Sequence, residues 1–334
     1  MPDDLLRLAI PKEEKLHAPT VELLSSCGVP VEWEGERRYT AHMPALPGVE
    51  VVMTRGDATY QAVEQGRVDL GILGQDQYLE VHRAGTEGLI ILDDLGYGHC
   101  GLWVAVPDSF QGVTRMKDLA DLALKYRQEG RELRVATKYP HLAQSFLDRQ
   151  GVAGYALVRA TGTLETFPAL GLSDVIADIV SSGATLRENG LRRLEDGWIQ
   201  DFQACLIANP RTFRGDSAKQ ERCRSLLERV EAYLRARKSY VVTANVPGNS
   251  PEAVAQETMR HKVLAGLKGP TIAPVYSRDG VAWFAVTLVV ERSLLLEAVD
   301  QLRQIGSDGF LVEELPFIFQ GECRSYLTLL EAVR

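Results

Sequence analysis

Cysteines, long apolar runs and excess positive charge are all scarce in this chain, and each scarcity excludes a class of function. The five cysteines (Cys27, Cys100, Cys205, Cys223, Cys323) are odd in number, scattered and without a CxxC pair, so neither a disulfide framework nor a zinc site is indicated. No apolar segment approaches the length of a membrane span. Acidic residues outnumber basic ones by 45 to 37, a formal net charge of −8, which argues against nucleic-acid or membrane partners. Any phosphate site must therefore be locally basic or metal-assisted. None of the six histidines stands at metal-ligand spacing from cysteines or acids. There is no GxxxxGK loop and no GxSxG elbow. Gly96–Gly101 (GYGHCG) fits GxGxxG, but LWVAVP after it reads as a strand ending at Pro107, whereas a dinucleotide fingerprint must open a helix. The N-terminal MPDDLLRLAIPKEEK has acids where an export signal needs positive charge, so a cytoplasmic protein is expected.

What is present is an ordinary globular composition, 45% hydrophobic and 25% charged, over 334 residues, enough for two or three domains. Short apolar strands alternate with helical patterns: residues 5–10, 49–53, 68–73, 89–93, 102–106, 134–137, 155–158, 174–180 and 204–209 read as strands. That alternation predicts an α/β fold with mainly parallel sheets. A long amphipathic helix is expected over about 216–237, where Leu226, Leu227, Val230 and Leu234 recur at helical spacing. Beyond it, SYVVTANVP, a helix after Ser250, GPTIAPVY, WFAVTLVV, a helix over 293–305 and GFLVEELPFIF give the order β-α-β-β-α-β, the ferredoxin-like split unit.

The most informative stretch is ETFPALGLSDVIADIVSSGATL, Glu165 to Leu186. An apolar run carrying Asp174 and Asp178 breaks into Ser181-Ser182-Gly183-Ala184-Thr185 and resumes in a helix-prone segment. In that order, successive loop N–H groups form a concavity for an anion at a helix N-terminus, and Gly183 lets the backbone approach a ligand. Acids upstream suit ribose hydroxyls or a hydrated Mg²⁺. A capped helix after a strand, with Ser182 or Thr185 as cap, is the plainer alternative. The stretch closely resembles the signature of the ATP phosphoribosyltransferase family, matching at Glu165, Gly171, Ser173, Ile176, Asp178, Ile179, Ser182, Gly183, Thr185 and Leu186. VDLGILGQD (68–76), DLGYGHCGLWVAVP (94–107) and RVATKYPHL (134–142) resemble further family blocks, and GPTIAPVY (269–276) resembles the regulatory-domain hairpin of its long form.

The resemblance implies two type-II periplasmic-binding-protein-like lobes around a cleft plus a C-terminal ferredoxin-like domain. The boundaries expected are 1–107 with 190–237 for lobe I, 108–189 for lobe II and 238–334 for the regulatory domain. It implies transfer of a phosphoribosyl group from phosphoribosyl pyrophosphate to ATP with Mg²⁺ carried by the substrates, no covalent nucleophile, histidine as inhibitor, and a homo-oligomer between dimer and hexamer. Glu165, Asp174, Asp178, Ser181, Ser182, Gly183, Ala184 and Thr185 are the candidates for phosphoribosyl pyrophosphate. Lys12, Arg55, Asp69, Asp94, Lys138 and Tyr139 are those for ATP, and Leu267, Thr271 and Ala273 those for the inhibitor. Two departures stand out: Gly101 replaces the family's usual Arg, and Glu13-Glu14 replace a glycine and a cation. They favour the rival reading, a non-catalytic paralogue sensing a nucleotide or amino acid, while the intact signature favours an enzyme.

Overall fold

The computed structural model describes residues 5–33, 35, 39–160, 162–181, 183–277 and 280–334, with the side chain of Glu14 left aside. The chain divides into two compact units, the first comprising 1–25, 29–223 and 328–334, the second 26–28 and 224–327.

The first unit holds two sheets. Chain order begins β1 (Leu6–Pro11), α1 (Glu14–Ser26), β2 (Glu32–Trp33), β3 (Thr40–His42), β4 (Val49–Thr54), α2 (Gly56–Glu64), β5 (Leu70–Gly74), α3 (Gln75–Val81) and β6 (Leu89–Leu92). It continues through β7 (Cys100–Pro107), α4 (Met116–Gln128), β8 (Leu133–Thr137), α5 (Pro140–Arg149), β9 (Tyr155–Arg159), β10 (Val175–Val180), α6 (Ala184–Glu188), β11 (Leu191–Phe202) and β12 (Ala204–Ala208). The seven-stranded sheet runs β2-β3-β4-β1-β5-β12-β6 and the five-stranded sheet β11-β7-β10-β8-β9. β1, β4 and β5 are parallel, as near-continuous apolar strands require when both faces are covered. α2 buries Thr59, Tyr60 and Val63 against the first sheet's core. α4 and α5 bury Met116, Leu119, Ala123, Phe146 and Leu147 with Leu102, Val104, Val135 and Ala177 of the second.

The lobe boundaries differ from those expected. Cys100–Pro107 pairs with β10 and β11, both in the second sheet. Lobe II therefore spans about 100–202, and only β12 returns to the first sheet. The reason is pairing. Val104 and Val106 find their apolar partners in the second sheet's core, which sequence adjacency to β6 does not reveal.

The helix α7 (Ser217–Arg237) contains the division between units, which falls between Cys223 and Arg224 rather than at 238. The second unit continues with β13 (Ser239–Pro247), α8 (Pro251–Met259), β14 (Thr271–Val275), β15 (Trp283–Glu291), α9 (Leu295–Gln304) and β16 (Phe310–Glu314), and α10 (Arg324–Val333) closes the chain. Its antiparallel sheet runs β14-β15-β13-β16, the ferredoxin-like order. β15 alternates strictly, with Phe284, Val286, Leu288 and Val290 inward, so one sheet face meets Ala298 and Leu302 of α9. The expected fold class holds: α/β, two lobes in the first unit and a ferredoxin-like unit after them. Among the described residues no helix is long and apolar enough to cross a membrane.

Candidate functional site

Strand direction locates the site. In the first sheet β1, β4, β5 and β6 run the same way, and their C-terminal ends present Lys12, Arg55, Gln75 and Asp93-Asp94 along one edge. In the second, β8, β9 and β10 are parallel, ending at Lys138, Ala160 and Ser181. The antiparallel neighbours bring the start of β7 (Cys100, Gly101) and the end of β11 (Asp201) to that edge. The two edges are joined by 93–99 and by Gln203, and Gln203 Nε2 ties these connections by donating to the Asp93 carbonyl at 3.1 Å. Ligands of open α/β sheets collect at such carboxyl ends.

The signature forms as expected in outline. β10 ends at Val180, and Gly183 is the N-cap residue of α6 with φ 72°, in the left-handed region. A Cβ there would be strained whatever the space, and would lie 3.4 Å from Arg187 Nη1. α6 has only five residues, so an anion held there would meet the loop N–H groups more than a helix dipole. Ser181 and Thr185 are exposed and Ala184 half-buried, while Ser182 lies outside the described residues.

Asp178, two residues before the strand end, is pushed up to about 6 by burial, with Glu165 raising it further and Lys138 and Lys15 opposing. Glu165 is the middle residue of a short 3-10 turn, Leu164–Thr166. Cys100 titrates at about 11, raised by burial and by Asp76 and Asp201. It is a neutral thiol at physiological pH and no ready nucleophile. Asp76 is also raised, chiefly by burial. Tyr139, the N-cap residue of α5, donates its hydroxyl to Asp76 Oδ2 at 2.7 Å, which joins the lobes. Lys12 is exposed, its ammonium 4.6 Å from the Tyr39 ring centroid. The wall is thus mixed in charge: Lys15 and Lys138 act on Asp178 beside Glu165, and Lys15 acts on Cys100 beside Asp76 and Asp201. Of these, Lys15, Asp76, Cys100 and Asp201 were not among the sequence candidates for the site, and the strand-end rule could have found Cys100 and Asp201.

Two expected site residues are corrected. Asp174 precedes β10 at the opposite end of the strand from Gly183, a strand of six residues or about 20 Å away. Its carboxylate accepts from Arg134 N at 2.8 Å and Arg134 Nη2 at 3.1 Å, with Arg131 at 3.8 Å. Asp69 precedes β5 at the corresponding far edge, buried, accepting from Arg7 N at 2.7 Å and Lys219 Nζ at 3.0 Å. Both acids are structural pins. Asp94 lies on the cleft edge, where its Oδ1 accepts from Gly96 N at 2.7 Å. Arg55 is the exposed N-cap residue of α2. In the second unit Leu267, Thr271 and Ala273 are all exposed, the last two on the edge strand β14.

The departures also have places. Gly101 lies buried within β7 and outside the left-handed region, and a Cβ there would fall 2.8 Å from both Asp201 Oδ1 and Trp103 Nε1. Glu13 Oε1 accepts from Gly56 N, the first residue of α2, at 3.0 Å. Among the described residues, no three His, Cys, Asp or Glu side chains are grouped to hold a metal ion.

Comparison with known proteins agrees in each part of the chain. The family model described as ATP phosphoribosyltransferase matches residues 55–232, and that described as HisG, C-terminal domain, matches 236–316. ATP phosphoribosyltransferase 2, chloroplastic, of Arabidopsis thaliana is 35% identical over 331 residues, covering 97% of this chain and 80% of that one. ATP phosphoribosyltransferase of Gemmatimonas aurantiaca is 33% identical over 314 residues, covering 93% and 98%. Among solved structures, a chain of the ATP phosphoribosyl transferase (HisG:HisZ) complex from Thermotoga maritima superposes with a TM-score of 0.53 at 26% identity, covering 68% of this chain and 96% of that chain.

Proposed function

The chain belongs to the ATP phosphoribosyltransferase family, transferases of the first step of histidine biosynthesis, and from that premise we propose that it condenses ATP with phosphoribosyl pyrophosphate. The N1 lone pair of adenine forms a bond to the anomeric carbon as the bond from that carbon to pyrophosphate breaks. The electron pair leaves on pyrophosphate, and phosphoribosyl-ATP remains. Mg²⁺ enters as part of the substrate complexes.

The observation that carries this reading is the strand end at Val180 followed by Gly183 at φ 72°, beside Lys138, Glu165 and Asp178. The loop holds the 5-phosphate and ionised Asp178 accepts from ribose hydroxyls. ATP lies toward lobe I, near Lys12, Arg55 and Asp94, with Lys138 between the two substrates. Catalysis of this kind rests on positioning and on electrostatic support for an oxocarbenium-like centre, so no nucleophilic side chain is required. The neutral Cys100 thiol is consistent with that. The enzyme acts in a reducing cytosol, in keeping with five free cysteines, assembles with copies of itself, and is inhibited by histidine through the second unit.

Pure protein mixed with ATP, phosphoribosyl pyrophosphate and Mg²⁺ should develop the ultraviolet absorbance of N1-ribosylated adenine and release pyrophosphate in equal amount. Specific nucleotide or histidine binding without either product would instead establish a sensor with the same lobes.

A further inference from the structure

The helix pair α3 and α5 joins the lobes through contacts that the proposed chemistry does not use. Glu80 of α3 lies in lobe I, yet its carboxylate accepts from His141 N at 2.9 Å and Leu142 N at 3.1 Å, the second and third residues of α5 in lobe II. A side chain from one lobe thus caps a helix of the other, satisfying two donors that a helix start leaves open. Tyr139, immediately before that helix, donates to buried Asp76 of α3 at 2.7 Å. Leu79, between these acids, packs against the cores of both lobes. An open cavity lined by Glu80, Arg83, His141 and Arg159 adjoins the contact, so water reaches these groups as soon as they part.

We infer that Glu80, with the Tyr139–Asp76 pair, is a latch that holds the cleft closed: Glu80 is a positioning residue for the transfer. This rests on the reading of the cleft as the substrate site. Tyr139 neighbours Lys138, so a parted latch moves the lobe II ligand groups away from lobe I, and a closed one sets the distance between the two substrates. The Glu80 contacts are polar and border the open cavity, which suits a bond made and broken in each cycle.

Two variants and two readouts test it. Glu80→Gln keeps the side-chain shape and one acceptor, and Glu80→Ala removes both acceptors. Each should raise KM for both substrates about fivefold while kcat at saturation changes less than twofold, since saturating substrate restores closure. Hydrogen exchange on the free protein should quicken at 141–142 in Glu80→Gln and also on the cleft edges, around Gly56 and Ile179. Faster exchange confined to 141–142 with both KM values unchanged would reduce Glu80 to a helix cap and overturn the latch. If the wild type shows no turnover, the functional reading falls, and the spread of exchange alone then decides for or against the latch.

Discussion

Gly183 is the position where a single side chain does most harm. At φ 72° a β-branched residue is forced from its allowed dihedrals, and it also enters the space proposed for the phosphate. Gly183→Val should fold and lose at least about tenfold in phosphoribosyl pyrophosphate affinity, roughly 1.4 kcal/mol. Calorimetry on the folded variant checks this, and an unchanged affinity would remove the loop from the site. Asp178 carries the opposite balance. Its folded carboxyl titrates at about 6 against an ordinary 3.8. Stability is therefore full below 3.8 and falls as pH rises through about 6, and the ionised form costs about 2–3 kcal/mol. Asp178→Asn should raise the melting temperature at pH 8, leave it unchanged near pH 3.5, and weaken substrate binding. An equal shift at both pH values would sever the link to ionisation. At position 101, Arg would meet Asp201 and Trp103, whose ring already carries the Arg193 guanidinium at 4.5 Å. Gly101→Arg should therefore cost roughly 1–3 kcal/mol of overpacking with no gain in affinity. A lower KM for either substrate at an unchanged melting temperature would overturn this. The strand, loop glycine and short helix of the signature were legible because they are adjacent in sequence. Asp69 and Asp174 were misread because an acid beside an apolar strand looks alike at either end, although both precede their strands and ligands gather after them.

At the scale of elements, the parallel strands and α7 could be read from apolar runs and helical spacing. β11 could not: LRRLEDGWIQDF shifts register between Arg193 and Trp198 and again before Gln200, so its inward residues Leu191, Leu194, Ile199 and Phe202 never show a period of two. α3 is only seven residues long and merges with the strand before it, which hid the helix carrying Asp76 and Glu80. The start of α2 gives the element-scale prediction. Glu13 Oε1 takes the Gly56 N–H, while Oε2, buried, finds no hydrogen-bond partner among the described residues. A carboxylate thus stands at the positive end of a nine-residue helix on the cleft edge, competing with any phosphate brought there. Glu13→Gly should lower KM for ATP severalfold, worth about 1 kcal/mol. An unchanged or higher KM for ATP would show that α2 does not face the nucleotide.

For the whole molecule, two units with separate cores raise the question of how one could govern the other. The second unit has its own core, with Val242, Ala244, Val286, Leu288 and Leu302 buried around one sheet face. Leu267, Thr271 and Ala273, the residues proposed for the inhibitor, are exposed. An exposed set, two of its three members on an edge strand, makes a poor pocket alone, so a second copy of the chain should complete it. Inhibition then requires histidine to bind one assembly state more tightly than another. Sedimentation with and without histidine should show a shift in assembly. Linkage adds a stricter requirement, because coupling between two binding sites is reciprocal. If saturating histidine weakens ATP binding tenfold, saturating ATP must weaken histidine binding tenfold, a coupling of about 1.4 kcal/mol. Calorimetric titration of histidine into the protein, with and without Mg-ATP, measures that term directly. Histidine affinity that is indifferent to ATP would confine any inhibition to the catalytic step, and no histidine binding at all would reject histidine as the effector of this unit while leaving transfer in the cleft untouched.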